Sequence, residues 1–448
     1  MSEANTIVAA ARARPGRLLA VLGVAFGIAV TVGNTIGSGI LRTPGEVAAQ
    51  LPSAWLFLGV WLLGGLYALL GANALAELAA MTPESGGYTV FVRRALGPFP
   101  GFAVGWSDWL STCTSAALAA IVIGEYTGEL VPPLATHGRA LAAASVAVFA
   151  LLQWRGVRIA SVTQELTTAL KAGGLLALVG ACFLLGGDAA PAAAPAPAVP
   201  AGAALLAAFV LAMQSVIFTY DGFSGPSYFA GEIRNAGRDI PRSIFGGVAA
   251  VIAIYVLLNA AFLYVLPLGV MAGDTFVAGR AAGALFGPRG DSLIQALVVL
   301  SLLSALNAYV LIASRVFYGV SASGIFPAGA AVNRGGTPAP ALLASAGIVL
   351  AFVVTGTFQK VVAVTAFFFV ANYTLTFLSV FVLRRREPDA PRPFRARAHP
   401  WSTGVVLVGS LAFLGAAVAA DSRNSLAALG LLAVSWPLFR LLRARRSG

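Results

Sequence analysis

Val32-Gly33-Asn34-Thr35-Ile36-Gly37-Ser38-Gly39-Ile40-Leu41-Arg42-Thr43-Pro44 lies in the first long apolar segment, Leu18 to Leu41. Gly37-Ser38-Gly39 puts three small residues in a row, a poor sequence for holding a helix. In a bilayer, loose backbone is tolerated only where it lines a cavity or is buried in protein. The stretch therefore predicts a membrane helix broken in mid-membrane, with free backbone groups facing a site. N–H groups opening the second half carry partial positive charge, and C=O groups closing the first half carry partial negative charge. Together they suit a small zwitterion. The competing reading is close packing, because Gly33 and Gly37 form a G-x-x-x-G pair.

A second break decides between the two. Phe218-Thr219-Tyr220-Asp221-Gly222-Phe223-Ser224-Gly225-Pro226 interrupts another apolar segment, Ala204 to Ala230. Two interrupted spans at corresponding positions of two halves point to a transporter site built on inverted repeats. The first break falls in the first span and the second in the sixth, where a five-plus-five repeat puts its equivalent.

The chain has 448 residues, of which 58% are hydrophobic and 10% charged. So much apolar surface makes it an all-α polytopic membrane protein. Windows of about 20 apolar residues give about 12 transmembrane helices. These are Leu18–Leu41, Ala54–Ala80, Phe102–Val131, Ala140–Leu152, Ile159–Leu185, Ala204–Ala230, Ile244–Leu266, Ser292–Val320, Ala341–Thr355, Val361–Leu383, Val405–Ala420 and Leu426–Leu442. The fourth and ninth are short for full spans.

The formal charge of +12 would suggest nucleic acid for a soluble chain. Here the basic residues fall between apolar spans, so they set orientation and imply no nucleic-acid partner. Arg12, Arg14 and Arg17 precede the first span and place the N-terminus in the cytoplasm; the first apolar run is too long for a cleavable signal peptide. Arginines such as Arg93, Arg94, Arg155, Arg158, Arg234, Arg238, Arg242, Arg334 and Arg384–Arg386 share that side, with Arg440, Arg443, Arg445 and Arg446 in the C-terminal tail. The opposite side carries Arg42, Arg139, Arg280, Arg289, Lys360 and Arg423. Both termini are therefore expected in the cytoplasm, with the chain in the inner membrane.

Among the loops, Asp188–Gly202 reads as a Pro/Ala-rich linker, and Leu268–Asp291 has room for a short helix. Arg384–Pro400 reads as a basic anchor against acidic lipid heads. Cys113 and Cys182 read as buried packing residues, and no spacing suggests a metal site or a cofactor. Gly222-Phe223-Ser224-Gly225 matches a G-x-S-G protease motif. Its base would have to be a histidine from another membrane helix, but His137 and His399 lie in loops on opposite sides. An aspartyl protease would need a G-x-G-D, which the sequence lacks. The chain is not expected to be an enzyme.

The whole chain resembles the amino acid–polyamine–organocation superfamily of permeases, nearest to bacterial amino acid permeases and L-type amino acid exchangers. The resemblance rests on Gly33-Asn34-Thr35-Ile36-Gly37-Ser38-Gly39-Ile40, Pro83-Glu84-Ser85-Gly86-Gly87-Tyr88 and Tyr220-Asp221-Gly222. Glu232-Ile233-Arg234-Asn235, Arg238-Asp239-Ile240-Pro241, Ser314-Arg315-Val316 and Gly324-Ile325-Phe326-Pro327 add to it, as does Arg384-Arg385-Arg386-Glu387-Pro388-Asp389. It implies a LeuT-like 5+5 inverted repeat with helices 1 and 6 broken, plus two peripheral helices. Residues 1–17 would be a cytoplasmic tail and 18–383 the ten-helix core, with repeats at roughly 18–187 and 204–383. Residues 384–400 would form a basic cytoplasmic loop, and 401–448 two peripheral helices and a tail.

The resemblance also implies a secondary active transporter of amino acids working by alternating access. Its substrate carboxylate would sit on backbone N–H groups near Gly37, Ser38 and Gly39, and its amine on carbonyls near Thr35, Ile36, Phe218, Thr219 and Asp221. Phe218 would close over bound substrate from outside. Lys171, about 20 Å up a helix from Arg158, would occupy the place of a sodium ion and make transport sodium-independent, with proton coupling left open beside it. Asp221 reads either as a partner for a substrate amine or as an N-cap bonding an N–H near Phe223 or Ser224. Asp108 reads either as structurally paired or as proton-linked, and Glu77, Glu125 and Glu165 as interfacial. A polyamine or organic cation carrier of the same fold, or an amino acid sensor that does not transport, stands as the alternative. The oligomeric state is left open.

Overall fold

The computed structural model describes residues 18–187, 195, 197–356, 358–420 and 422–444. The expected N-terminal tail with Arg12, Arg14 and Arg17, most of the Pro/Ala-rich stretch, and Arg445 and Arg446 lie outside the described residues. Those described form an all-helical bundle with no strand, only a single bridge between Leu22 and Ile233.

Among the described residues, ten helices are long and apolar enough to cross a membrane, and one further span consists of a bent pair. That pair is Val24–Thr35 and Gly39–Gln50, bent by 51°. Its break falls on Ile36-Gly37-Ser38, where two small residues leave the backbone without helical support. The remaining expected span, Ala339–Thr355, has 17 residues, or about 25 Å of helix, shorter than the hydrocarbon core. The tenth, Phe358–Arg386, starts earlier than the sequence predicts and takes in Lys360.

The sixth span departs from expectation. Its first half is a regular helix, Gly202–Thr219, but its second half is a turn followed by the short 3₁₀ helix Gly225–Phe229. Gly222, with φ +115°, and Pro226 both work against an α-helix here.

The first four spans each pack against the span five positions further on. First meets sixth, second (Ala54–Met81) meets seventh (Ala236–Val265), third (Pro98–Leu130) meets eighth (Gly290–Ala322), and fourth (Gly138–Trp154) meets ninth. This is the pairing an inverted repeat produces. The last two helices, Trp401–Ala420 and Ser422–Ala444, pack on the second, third and tenth spans.

The surface is apolar: Trp55, Leu184, Leu206, Val408 and Leu426 are all exposed. The interior holds polar side chains, and Gln153, Gln164, Ser304 and Asn307 are buried in one network. That network reaches the first span, where Thr168 Oγ1 donates to Ala29 O at 3.0 Å. In lipid, such hydrogen bonds and close packing hold helices together, because water exclusion no longer does.

The arginine-rich loops meet on one face. Arg94 pairs with Glu387 at 2.6 Å, Arg386 Nη1 donates to Ala95 O at 2.9 Å, and Arg234 Nε to Val21 O at 3.1 Å. Arg94 beside Glu387 holds that carboxyl below the usual range. Two expectations are corrected on this face. Glu77, near the end of its span, is not exposed there: it is buried and takes Arg384 and Arg392 as partners. The 384–400 segment is accordingly not free to act as a lipid anchor throughout, since Arg384, Arg386 and Arg392 are spent on internal partners. On the opposite face, the loop after the seventh span carries helices Leu268–Met271 and Val277–Phe286, and Gly273 N donates to Gly45 O at 2.9 Å. Cys113 and Cys182 are buried and unbridged.

Candidate functional site

The two breaks meet. Asn34 Nδ2 donates to Gly222 O at 2.9 Å, tying the first broken span to the second. The G-x-x-x-G pair divides between its two readings. A Cβ at Gly33 would lie 2.1 Å from Gln164 Nε2, so Gly33 is there for close packing; a Cβ at Gly37 would meet nothing within 4 Å. Gly37 instead faces a cavity of about 310 Å³, at the small end of ligand pockets.

Of the residues expected at the site, Thr35, Gly37, Ser38, Gly39, Phe218, Thr219 and Asp221 line this cavity. Ile36 does not. It is fully buried, and its carbonyl accepts from Lys171 Nζ at 2.5 Å and from Ser301 Oγ at 3.3 Å. Ile36 is therefore withdrawn as a cavity residue: the bend turns its carbonyl behind the helix. Lys171 is fully buried and also donates to Gly33 O at 3.0 Å. Its ammonium thus holds the carbonyls of the break from the side away from the cavity.

Gly39–Gln50 starts at the cavity with no side chain capping it, leaving N–H donors and a partial positive charge there. Opposite lie the C-terminal ends of Val24–Thr35 and Gly202–Thr219. The Tyr255 hydroxyl lies 3.1 Å from Thr35 O and 3.0 Å from Thr219 O, so one donor is shared between the two helix ends. No motif reading singles out Tyr255, because its role depends on two carbonyls far from it in sequence.

Asp221 does not cap the 3₁₀ turn, which has no side-chain cap. Its carboxylate accepts instead from the Tyr373 hydroxyl. Phe218 is 64% exposed, so it does not close over the cavity in this conformation. Sequence reasoning missed Tyr88, Tyr228, Tyr309 and Tyr373 as cavity residues. Asp108 lines it too, and its partner is the Tyr228 hydroxyl at 3.2 Å rather than a cation. An ionisable residue inside a span was the available signal for Asp108.

The cavity reaches toward the arginine-poor face through Arg42, Tyr126 and Phe276. Toward the arginine-rich face it is closed. Leu22 N donates to Glu232 O at 3.0 Å and Arg234 N to Leu22 O at 3.1 Å, while Gly86 N donates to Tyr228 O at 3.1 Å. Within this closure, Arg315 Nε and Nη2 donate to Glu232 at 3.1 and 2.9 Å, with both side chains fully buried. Removing one partner of such a pair costs about 3–5 kcal/mol, whereas replacing both with apolar groups is often neutral. Glu232→Ala should therefore lower the unfolding midpoint in detergent, and Glu232→Ala/Arg315→Met should recover much of the loss. Equal midpoints for the two variants would show that the pair does not hold the closure by mutual neutralisation.

Two broken helices meeting at a mid-bundle cavity, closed on one face and open on the other, are the arrangement of a membrane transport protein. The match is to a family model described as amino acid permease, over residues 22–434. The chain belongs to that amino acid permease family. It is 27% identical over 419 residues to the serine/threonine exchanger SteT of Bacillus subtilis, covering 90% of this chain and 92% of the relative. Against the b(0,+)-type amino acid transporter 1 of Mus musculus, identity is 28%, covering 84% and 78%. Against the Asc-type amino acid transporter 1 of Mus musculus it is 29%, covering 84% and 72%.

Proposed function

We propose that the chain moves an amino acid zwitterion by alternating access, and that the cavity of about 310 Å³ at the two breaks is its binding site. The observation that carries this reading is the uncapped start of Gly39–Gln50 opposite the ends of Val24–Thr35 and Gly202–Thr219. The carboxylate sits on N–H groups at Ser38 and Gly39, while Gly37 N donates to Thr35 O at 3.0 Å. The amine faces the carbonyl end formed by Thr35, Phe218 and Thr219. Backbone recognition of this kind reads the part shared by all amino acids.

In this reading the arginine-rich face is cytoplasmic and the described conformation is outward-open, with Phe218 swinging in when substrate binds. Lys171 fills the place of a coupling cation and makes transport independent of sodium. The families of the named relatives, among them an exchanger, support amino acids as cargo.

Uptake of labelled amino acids into proteoliposomes tests it. An α-amide and a decarboxylated amine should each compete at least about tenfold more weakly than the parent amino acid, the loss of one charged hydrogen bond of about 1.5–3 kcal/mol. Equal competition by the amide would remove the Gly39 helix start from the site.

A further inference from the structure

On the arginine-rich face, Arg315 is held by Glu232, Arg384 and Arg392 by Glu77, and Arg94 by Glu387. Arg93 and Arg443 differ from these. Arg93 gives one nitrogen, Nη2, to the exposed carboxylate of Glu84 at 2.8 Å; its Nε and Nη1 have no partner among the described residues. Arg443 has no ion pair among the described residues, and its guanidinium lies 5.9 Å from the centre of the Phe439 ring. Both arginines line a cavity of about 300 Å³ that shares no residue with the one at the breaks.

This second cavity lies where three spans end. The third begins at Pro98, the eighth ends at Ala322, and Arg443 is in the last turn of the twelfth. Spans end where hydrocarbon gives way to lipid headgroups. No acidic residue lines the cavity. Pro98–Leu130 starts there with no side chain capping it, and the end of Gly290–Ala322 offsets that partial positive charge with a partial negative one. The two guanidiniums therefore decide the sign. The exposed pair with Glu84 is too weak to withhold Arg93 from a second anion. The rest of the wall is apolar: Ile325 and Phe439 line it, and Phe439 packs on Phe99 and beside the exposed Trp436.

We propose that this cavity binds the phosphate group of an anionic phospholipid between Arg93 and Arg443, with the acyl chains leaving along Phe439 and Trp436. Guanidinium matches phosphate oxygens in pairs, and basic pockets between helix ends suit anionic headgroups. A dissolved phosphate would leave the apolar wall unused. Arg93 lies on Tyr88–Leu96, directly after the Gly86 contact that closes this face, and Arg443 on the last peripheral helix. A bound lipid joins the two.

Native mass spectrometry of the full chain in detergent, titrated with phosphatidylglycerol or phosphatidylcholine, tests this. An arginine beside an anionic headgroup is worth a factor of about five, so two should favour the first phosphatidylglycerol at least about tenfold over phosphatidylcholine. Arg93→Gln and Arg443→Gln should each weaken phosphatidylglycerol binding about fivefold, and the double variant should bind the two lipids alike. Arg440→Gln, which removes a guanidinium from over Trp436 instead, should bind as the wild type does. Equal binding of the two lipids by the wild type would overturn the proposal, as would an equal loss in Arg440→Gln. Glycerol phosphate displacing phosphatidylglycerol at matched concentration would overturn the lipid as ligand and leave a soluble phosphate in its place. If a variant fails to fold, the wild-type comparison and the glycerol phosphate competition still decide.

Discussion

Lys171→Ala should reduce uptake about a hundredfold, equally in sodium and in choline, while wild-type uptake should be the same in both salts. The Lys171 ammonium donates to Gly33 O, in the last turn of Val24–Thr35, and to Ile36 O, at the start of the break. Without it both carbonyls stay buried and lose a charged donor, at about 1–3 kcal/mol each, and two such losses reach a factor of about a hundred. Ser301 Oγ still bonds Ile36 O at 3.3 Å, but no described group replaces the bond to Gly33. A fixed cation at this place also leaves no need for a dissolved one, which is the basis for expecting no sodium effect. Uptake into proteoliposomes with sodium replaced by choline checks both halves. A wild-type rate that rises steeply with sodium would overturn the role given to Lys171.

Gly222→Ala should abolish substrate binding while the protein still inserts. Gly222 has φ +115°, where L side chains are strained. Its added Cβ would lie 2.8 Å from Thr35 N and 2.9 Å from Asn34 C and Thr35 Cα. All three are backbone atoms of the first break, so no side-chain rotation relieves the clash and the two broken spans must part. The Asn34 to Gly222 hydrogen bond of 2.9 Å would go with them. Gly173→Ala is the matched control: it is exposed on a helix, its Cβ would meet nothing within 4 Å, and alanine favours a helix over glycine. Binding measured by ligand-induced shift of the detergent unfolding midpoint separates the two. Wild-type affinity in Gly222→Ala would mean that the breaks need not touch.

The sequence by itself determined the class of the protein and the position of both breaks. Those properties are local. A run of about 20 apolar residues spans a bilayer whatever its neighbours are, and Gly37-Ser38-Gly39 or Asp221-Gly222 fails to hold a helix for reasons contained in the residues themselves. The depth of Lys171 follows equally from helical rise counted from Arg158. Tertiary structure alone decided how the polar groups were shared out. The bend of 51° set which carbonyls of the first span face the cavity, so that Thr35 and Gly37 line it while Ile36 turns to Lys171. It decided that Glu77 receives Arg384 and Arg392 rather than water, that Tyr255 joins Thr35 to Thr219, and that Asp221 meets Tyr373 instead of capping a turn. It also left Asp108 Oδ2 without a partner at the cavity wall. A buried polar group takes whatever complementary group the packing brings within about 3 Å, and the groups in these pairs lie tens to hundreds of residues apart, where no local pattern records them.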